Sequence, residues 1–266
     1  MKINSSTTDY GNWISSTLMS LLVGIALVLA SLLVVAWLWL RLWPITLIIG
    51  LLFLGWIGMT AYMYCCRRAF SFTGGGLMGK MHGYLLEHFD WDGEGRLLDI
   101  GCGSGALSIR CAKKFHKAKV TGIDYWGLGW NYGQEQCETN AKAEGVADRT
   151  QFLHGDAAQL NFPDATFDAV VSNFVFHEVR TQPDKQQLIR EALRVLRPGG
   201  SFALQDLFDN RSIYGDINEL IRELQAEGYE DICYESHVEC HDFVPAFLRV
   251  PWMFRDVGLI HGRKPE

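Results

Sequence analysis

The sequence has no basic stripe with which to grip a nucleic-acid backbone. Its 24 lysines and arginines against 30 acids leave a net charge of −6, so RNA and DNA are not expected as partners. It lacks a disulfide framework as well. The 7 cysteines are odd in number and sit at no framework spacing, which points to reduced thiols and a reducing compartment. No internal repeat or low-complexity tract is present. The largest gap is in charge: between Ile14 and Tyr64 the one charged residue is Arg41.

What fills that gap is apolar sequence, in runs over 14–40 and 45–64. A hydrocarbon core of about 30 Å takes about 20 helical residues, and both runs reach that length. Pro44, just after Arg41, is expected to break the helix and leave a transmembrane hairpin with a very short loop. Trp13, Trp37, Trp39, Trp43, Tyr62 and Tyr64 cluster near the ends of the runs, where amphipathic rings prefer the interface. A cleaved signal peptide would need a basic start and one short apolar stretch, whereas here Lys2 is the only early basic residue. Arg67, Arg68 and Lys80 follow the second run, so the positive-inside rule puts both termini and the soluble domain in the cytosol, as in an integral protein of a bacterial inner membrane. The pairs Ser20/Gly24, Ala26/Ala30 and Gly55/Gly58 offer small surfaces for closing the hairpin or for a homo-oligomer. Cys65-Cys66, beside the membrane, suits acylation or, more commonly, a buried or interfacial thiol pair.

Three regions follow: the hairpin at 1–64, a connector and first helix at 65–90, and a soluble domain at 91–266. In the last, strand patterns at 96–100, 119–123, 150–154, 167–173, 201–206, 232–236 and 259–263 alternate with helical patterns at 106–114, 132–144, 185–196 and 214–227. This alternation predicts an α/β fold, a doubly wound and mainly parallel sheet covered on both faces.

The strongest motif is Leu97-Leu98-Asp99-Ile100-Gly101-Cys102-Gly103-Ser104-Gly105-Ala106. An apolar strand runs into a glycine turn that a ligand can approach closely, and a helix N-terminus follows. Gly101, Gly103 and Ala106 fit a dinucleotide fingerprint equally well, and Asp124, about 20 residues on, suits a ribose diol in either case. Asp156, in Gly155-Asp156-Ala157, closes the third strand; Phe167 to Asn173 forms the fourth; Arg197-Pro198-Gly199-Gly200 precedes the fifth.

In that order and spacing, these landmarks resemble the class I, Rossmann-like S-adenosylmethionine-dependent methyltransferases, with the resemblance running over about 77–263. It implies seven strands, the last antiparallel, and S-adenosylmethionine as cofactor with S-adenosylhomocysteine as product. It further implies that Gly101, Cys102, Gly103 and Gly105, supported by Asp99, flank the methionine part. Asp124 would take the ribose, Tyr125 or Trp126 the adenine face, Asp156 with Ala157 the adenine edge, and Asn173 would lie beside the methionine part.

Methyl transfer from a sulfonium asks mainly for alignment and exclusion of water. Where the acceptor must lose a proton, His177 is the expected base with Glu178 orienting it; shaping the pocket is its blander role. Strand four lacks the Asn/Asp-Pro-Pro-aromatic motif of amino-methylating relatives. The stretch from Phe174 to Val179 looks more like the quinone-biosynthesis and sterol-type C-methyltransferases. No metal is expected: Mg²⁺ at the carboxylates and amide of Gln205 to Asn210 lacks an acidic ligand at Asn173, so that stretch reads as a polar substrate contact or a turn, and Cys233, His237, Cys240 and His241 fit no familiar zinc spacing. The apolar stretch 243–254 suits burial between strands six and seven or, by a slight preference, a substrate lid near the bilayer. The expected acceptor is a small, lipid-like or membrane-partitioned molecule. The alternatives are a soluble or protein acceptor merely localised at the membrane, or a non-catalytic cofactor-binding membrane protein.

Overall fold

The computed structural model describes residues 8–41, 43–72, 76–127 and 133–266, so residues 73–75 of the expected connector and residue 132 of the expected helix lie outside the described residues. It divides into two compact units, one of residues 11–78 and the other of 1–10 together with 79–266.

The first unit is an antiparallel helix pair, α1 (Ser16–Val35) and α2 (Trp43–Phe70), with a π-helical turn at Ala36–Leu40 ending α1. Ser15 caps α1 by accepting from Leu18 N at 3.1 Å. Trp56 Nε1 donates to Leu22 O at 2.8 Å across the pair, and Asn12 Nδ2 donates to Arg67 O at 2.8 Å at its open end. Pro44 lies in the first turn of α2, where a missing N–H is harmless, and the left-handed Arg41 (φ 48°) makes the corner instead. The helix runs on to Phe70, so residues 65–70 are helical and not part of a connector. Over Ser16–Trp39 and Trp43–Phe70 both helices are long and apolar enough to cross a membrane. A methyl added at Gly24, Gly55 or Gly58 would meet nothing within 4 Å, so these small residues do not close the hairpin.

The second unit is built on a seven-stranded sheet. Its strands are β1 (Gly95–Ile100), β2 (Ala118–Asp124), β3 (Thr150–His154), β4 (Phe167–Asn173), β5 (Leu196–Asp206), β6 (Glu230–Glu235) and β7 (Gly258–Arg263). Their order is β3-β2-β1-β4-β5-β7-β6, with β7 antiparallel to both neighbours. The chain reverses direction in sheet order between β1 and β4, the switch point at which ligands bind beyond the carboxyl ends of parallel strands. The helices are α3 (Leu77–Glu87), α4 (Ala106–Lys114), α5 (Gln134–Ala143), α6 (Lys185–Arg194), a single turn α7 (Arg211–Tyr214) and α8 (Ile217–Ala226). One face of the sheet, with Leu98, Val170, Phe202 and Leu204, packs on Leu188 of α6 and Leu220 of α8. On the other, α3 sets His82 against Asn173.

Candidate functional site

The glycine turn follows from steric need. Gly101, Gly103 and Gly105 adopt φ of 74°, 55° and 82°, which side chains disfavour. A Cβ on Gly101 would stand 2.1 Å from Val175 Cγ2, so the segment after β4 packs directly on the turn. Gly101 N and Cys102 N both donate to Ile123 O, at 2.8 and 2.9 Å, fastening the turn to β2. The Cys102 side chain is buried, and Gly122 is a glycine because a Cβ there would meet Cys102 Cβ at 2.9 Å. Cys102 therefore offers the cleft its backbone and not its thiol. Beneath the turn, Asp99 is buried and accepts from Ser108 Oγ at 2.5 Å. Burial raises its pKa to about 7, although the Ser108 hydroxyl works against the rise.

Asp124, at the end of β2, accepts from Gly103 N at 2.8 Å through Oδ2 and from Trp126 N at 2.8 Å through Oδ1. Trp126 Nε1 donates to Gly103 O at 2.8 Å. The turn, Asp124 and Trp126 therefore form one hydrogen-bonded unit. Tyr125 is exposed beside the His154 ring, 5.2 Å away. Gly155 N donates to Asp124 O at 3.0 Å, and this holds the end of β3 next to the end of β2. There Asp156 Oδ1 accepts from Ala158 N at 2.8 Å and from Thr181 Oγ1 at 3.2 Å. Trp126 (φ 43°) and Phe174 (φ 57°), on the two flanks of the cleft, hold left-handed conformations that bulky residues rarely adopt outside functional sites.

On the β4 side, His177 Nδ1 lies 2.6 Å from Asp206 Oδ1, and His177 Nε2 lies 3.5 Å from Glu178 Oε1. Asp206 is fully buried and also accepts from Val175 N, Phe176 N and Leu207 N, at 2.9, 2.8 and 2.7 Å. Burial lowers the His177 pKa, but the two carboxylates outweigh it and hold the ring up at about 10. The Mg²⁺ reading fails on the same contacts. Asp206 is spent on His177 and three amides, and Asp209 turns away to Tyr234 OH (2.6 Å) and His237 N (2.7 Å). The zinc set does not converge either: among the described residues the metal-like cluster is Asp209, His237 and Glu239, and Glu239 accepts from Asp256 N and Val257 N. Cys65 is exposed and Cys66 buried. Within 243–254, Val244, Leu248 and Phe254 are buried while Phe247 and Trp252 are exposed.

Two features carry no local signature in the sequence. One is the Asp206 partner of His177. The other is the N-terminal segment: Asn140, fully buried on α5, accepts from Asp9 N at 3.0 Å and donates to Asp9 O and Ser104 O at 2.8 and 3.0 Å. Ser104 Oγ donates to Tyr10 O at 2.9 Å, and Tyr10 OH donates to Glu144 Oε1 at 3.2 Å. Residues 9–10 thus strap down the glycine turn.

A seven-stranded sheet with an inserted antiparallel β7, a glycine turn after β1 and acids closing β2 and β3 define the class I, Rossmann-like methyltransferase. The chain belongs to the S-adenosylmethionine-dependent methyltransferase family. Residues 98–204 match the family described as Methyltransferase domain. The demethylmenaquinone methyltransferase of Listeria welshimeri is 35% identical over 177 residues, 63% of this chain and 71% of that protein. The 27-O-demethylrifamycin SV methyltransferase of Amycolatopsis mediterranei is 41% identical over 111 residues, 42% of this chain and 38% of that protein. Measured against the first relatives found, the chain spans between 34% and 56% of their length. In fold it is similar to Haemonchus contortus phosphoethanolamine N-methyltransferase 2 in complex with phosphomonomethylethanolamine and S-adenosylhomocysteine. That match has TM-score 0.53 and 18% identity, and covers 72% of this chain and 53% of the other.

The donor set fits S-adenosylmethionine, the family's cofactor. A turn with three glycines and its Cys102 thiol buried suits the methionine part, a carboxylate ends β2 where a diol needs one, and another follows β3 where an amino edge needs one.

Proposed function

We propose that the chain is a membrane-anchored S-adenosylmethionine-dependent methyltransferase acting on a small, lipophilic acceptor. One observation carries this reading: a methyltransferase cleft shares its chain with two helices long and apolar enough to span a bilayer. Their outward faces are leucine, valine and isoleucine, with Leu27, Val28, Leu51 and Leu54 all exposed, a surface that water penalises and lipid does not. The quinone acceptor in the name of the Listeria relative agrees with a lipid-like substrate. The basic pair Arg67-Arg68 at the end of α2 supports a cytosolic catalytic unit.

In this reading the backbone of Gly101 to Gly105 receives the methionine part, Asp124 the ribose hydroxyls, Tyr125 or Trp126 the adenine face, Asp156 and Ala157 its edge, and Asn173 lies alongside. S-adenosylmethionine supplies an already activated methyl group and leaves as S-adenosylhomocysteine. The chain's task is to align the acceptor and keep water out. His177 faces the acceptor's oxygen through Nε2, because Asp206 pins Nδ1. With a pKa of about 10 the ring is an imidazolium at neutral pH, so it takes no proton from the acceptor; it meets an acceptor that enters already ionised and stabilises that oxyanion as a donor, with Glu178 steering Nε2.

The test is incubation of the full-length protein in detergent with methyl-labelled S-adenosylmethionine and fractionated lipid and aqueous extracts. Label in a lipid fraction is the expected result; label confined to aqueous metabolites or protein overturns the lipophilic acceptor.

A further inference from the structure

Gln205 stands at the end of β5 and is 1% exposed, yet neither Oε1 nor Nε2 has a hydrogen-bond partner among the described residues. Its neighbour in register on β4 is Asn173, whose Oδ1 is likewise buried and unpartnered and whose Nδ2 meets His82 Nε2 at 3.1 Å. Folded proteins rarely leave a buried amide unmet at both ends, so the pair calls for an explanation. Strand alternation gives its direction. Phe202 and Leu204 face the core under α6 and α8, so Gln205 faces the opposite side with Asn173, toward His82 of α3.

Sheet spacing gives its reach. Asn173 lies one residue beyond the Ile100–Ser172 pair, beside the start of the glycine turn, and Gln205 is one strand further out. At about 4.8 Å per strand, Gln205 is about 10 Å from the turn. The reacting atom of an acceptor must sit about 3 Å from the transferred methyl, so Gln205 addresses a part of the acceptor roughly one ring's width away. Leu259 pairs with Gln205 across the sheet, and Phe174, whose N–H donates to Gln205 O at 2.8 Å, meets Phe254 at 5.6 Å.

We infer that Gln205, with Asn173 beside it, is a specificity subsite for a hydroxyl on the distal side of a hydroxylated ring. A hydroxyl both donates and accepts, which matches the adjacent C=O and NH₂ of the unmet amide. Gln205 here positions the acceptor and does not touch the transferred methyl. The inference rests on the methyltransferase reading of the same cleft.

The experiment uses full-length wild type and Gln205→Leu, each with S-adenosylhomocysteine and one of two probes: naphthoquinol, or the same ring with both hydroxyls capped as methyl ethers. Wild type should bind the diol more tightly than the diether. Gln205→Leu should lose about tenfold in affinity for the diol, keep its affinity for the diether and for S-adenosylhomocysteine, and melt no lower than wild type, because an unmet amide is being replaced by an apolar side chain of similar shape. Three results overturn the inference: a lowered melting temperature with unchanged discrimination, which makes Gln205 structural; discrimination that survives the substitution, which assigns the amide to a trapped water; or a wild type that binds S-adenosylhomocysteine and treats both probes alike. Failure of wild type to bind S-adenosylhomocysteine, by contrast, strikes the methyltransferase reading itself.

Discussion

His177 and Asp206 meet at 2.6 Å although 29 residues separate them in the chain, because β4 and β5 run parallel and in register up to Asn173 and Gln205. The pair fixes which imidazole nitrogen faces the cleft, and its charge state sets two expectations.

His177→Ala should lower turnover about a hundredfold, a usual size for losing a positioned proton donor or acceptor, while leaving the affinity for S-adenosylhomocysteine unchanged. If Nε2 acts as a donor, activity falls as pH rises through about 10; if it acts as a base, activity rises there. A pH–rate profile of the wild type decides. The same pKa bears on stability. It lies above the ordinary 6.5, so the stabilisation is present in full below about 6.5 and is lost as pH climbs through about 10. Thermal melts across that window should steepen for wild type relative to His177→Ala.

Asp99 has the opposite sense to an ion-paired carboxylate. Its pKa is raised from 3.8 to about 7, so between those values the folded protein holds a proton that the unfolded chain releases. Its contribution to stability therefore declines as pH rises from about 4 to 7 and stays low above that. Asp99→Asn should gain on wild type in melting temperature between pH 5 and pH 8; parallel curves would show that Asp99 is not the group responsible.

Gly101→Ala combines a disfavoured φ of 74° with a Cβ 2.1 Å from Val175. Calorimetry should find S-adenosylhomocysteine binding reduced at least tenfold. Adding Val175→Ala removes the clash but not the backbone strain, so recovery should be partial. Full binding by the single variant would mean that this turn does not hold the cofactor.

Asn140→Ala removes three hydrogen bonds, two to the Asp9 backbone and one to the Ser104 carbonyl, and should cost about 1–3 kcal/mol, the usual cost of losing buried polar partners. Hydrogen exchange would then speed up at Ser104 and Gly105 more than at β7. Uniform exchange would show that the strap does not restrain the turn.

The glycine turn, Asp124, Asp156 and the seven strands are legible in the sequence because each is a local pattern, a strand ending in a residue of fixed chemical type. His177 is legible as a titratable residue beside strand four. Asp206 draws attention as a remote metal ligand or as part of a polar substrate contact or turn, since nothing local marks a carboxylate that will accept four hydrogen bonds. Gln205 lies in a stretch that reads as a polar substrate contact or a turn, and the sequence does not single it out because its significance lies in the partners it lacks. The boundary expected at Tyr64 is misplaced: Arg67 and Arg68 mark where apolar sequence ends, but a charged last turn suits a helix C-terminus, so α2 continues to Phe70.

The strap makes the catalytic unit discontinuous in sequence. Residues 1–10 belong with 79–266, and the apolar pair at 11–78 is threaded between them like a cassette. A soluble enzyme is therefore better made by excision than by truncation: joining Tyr10 to Leu77, the first residue of α3, through a flexible linker keeps Asn140 supplied with Asp9, whereas any shortened chain begun after the two apolar helices removes that partner.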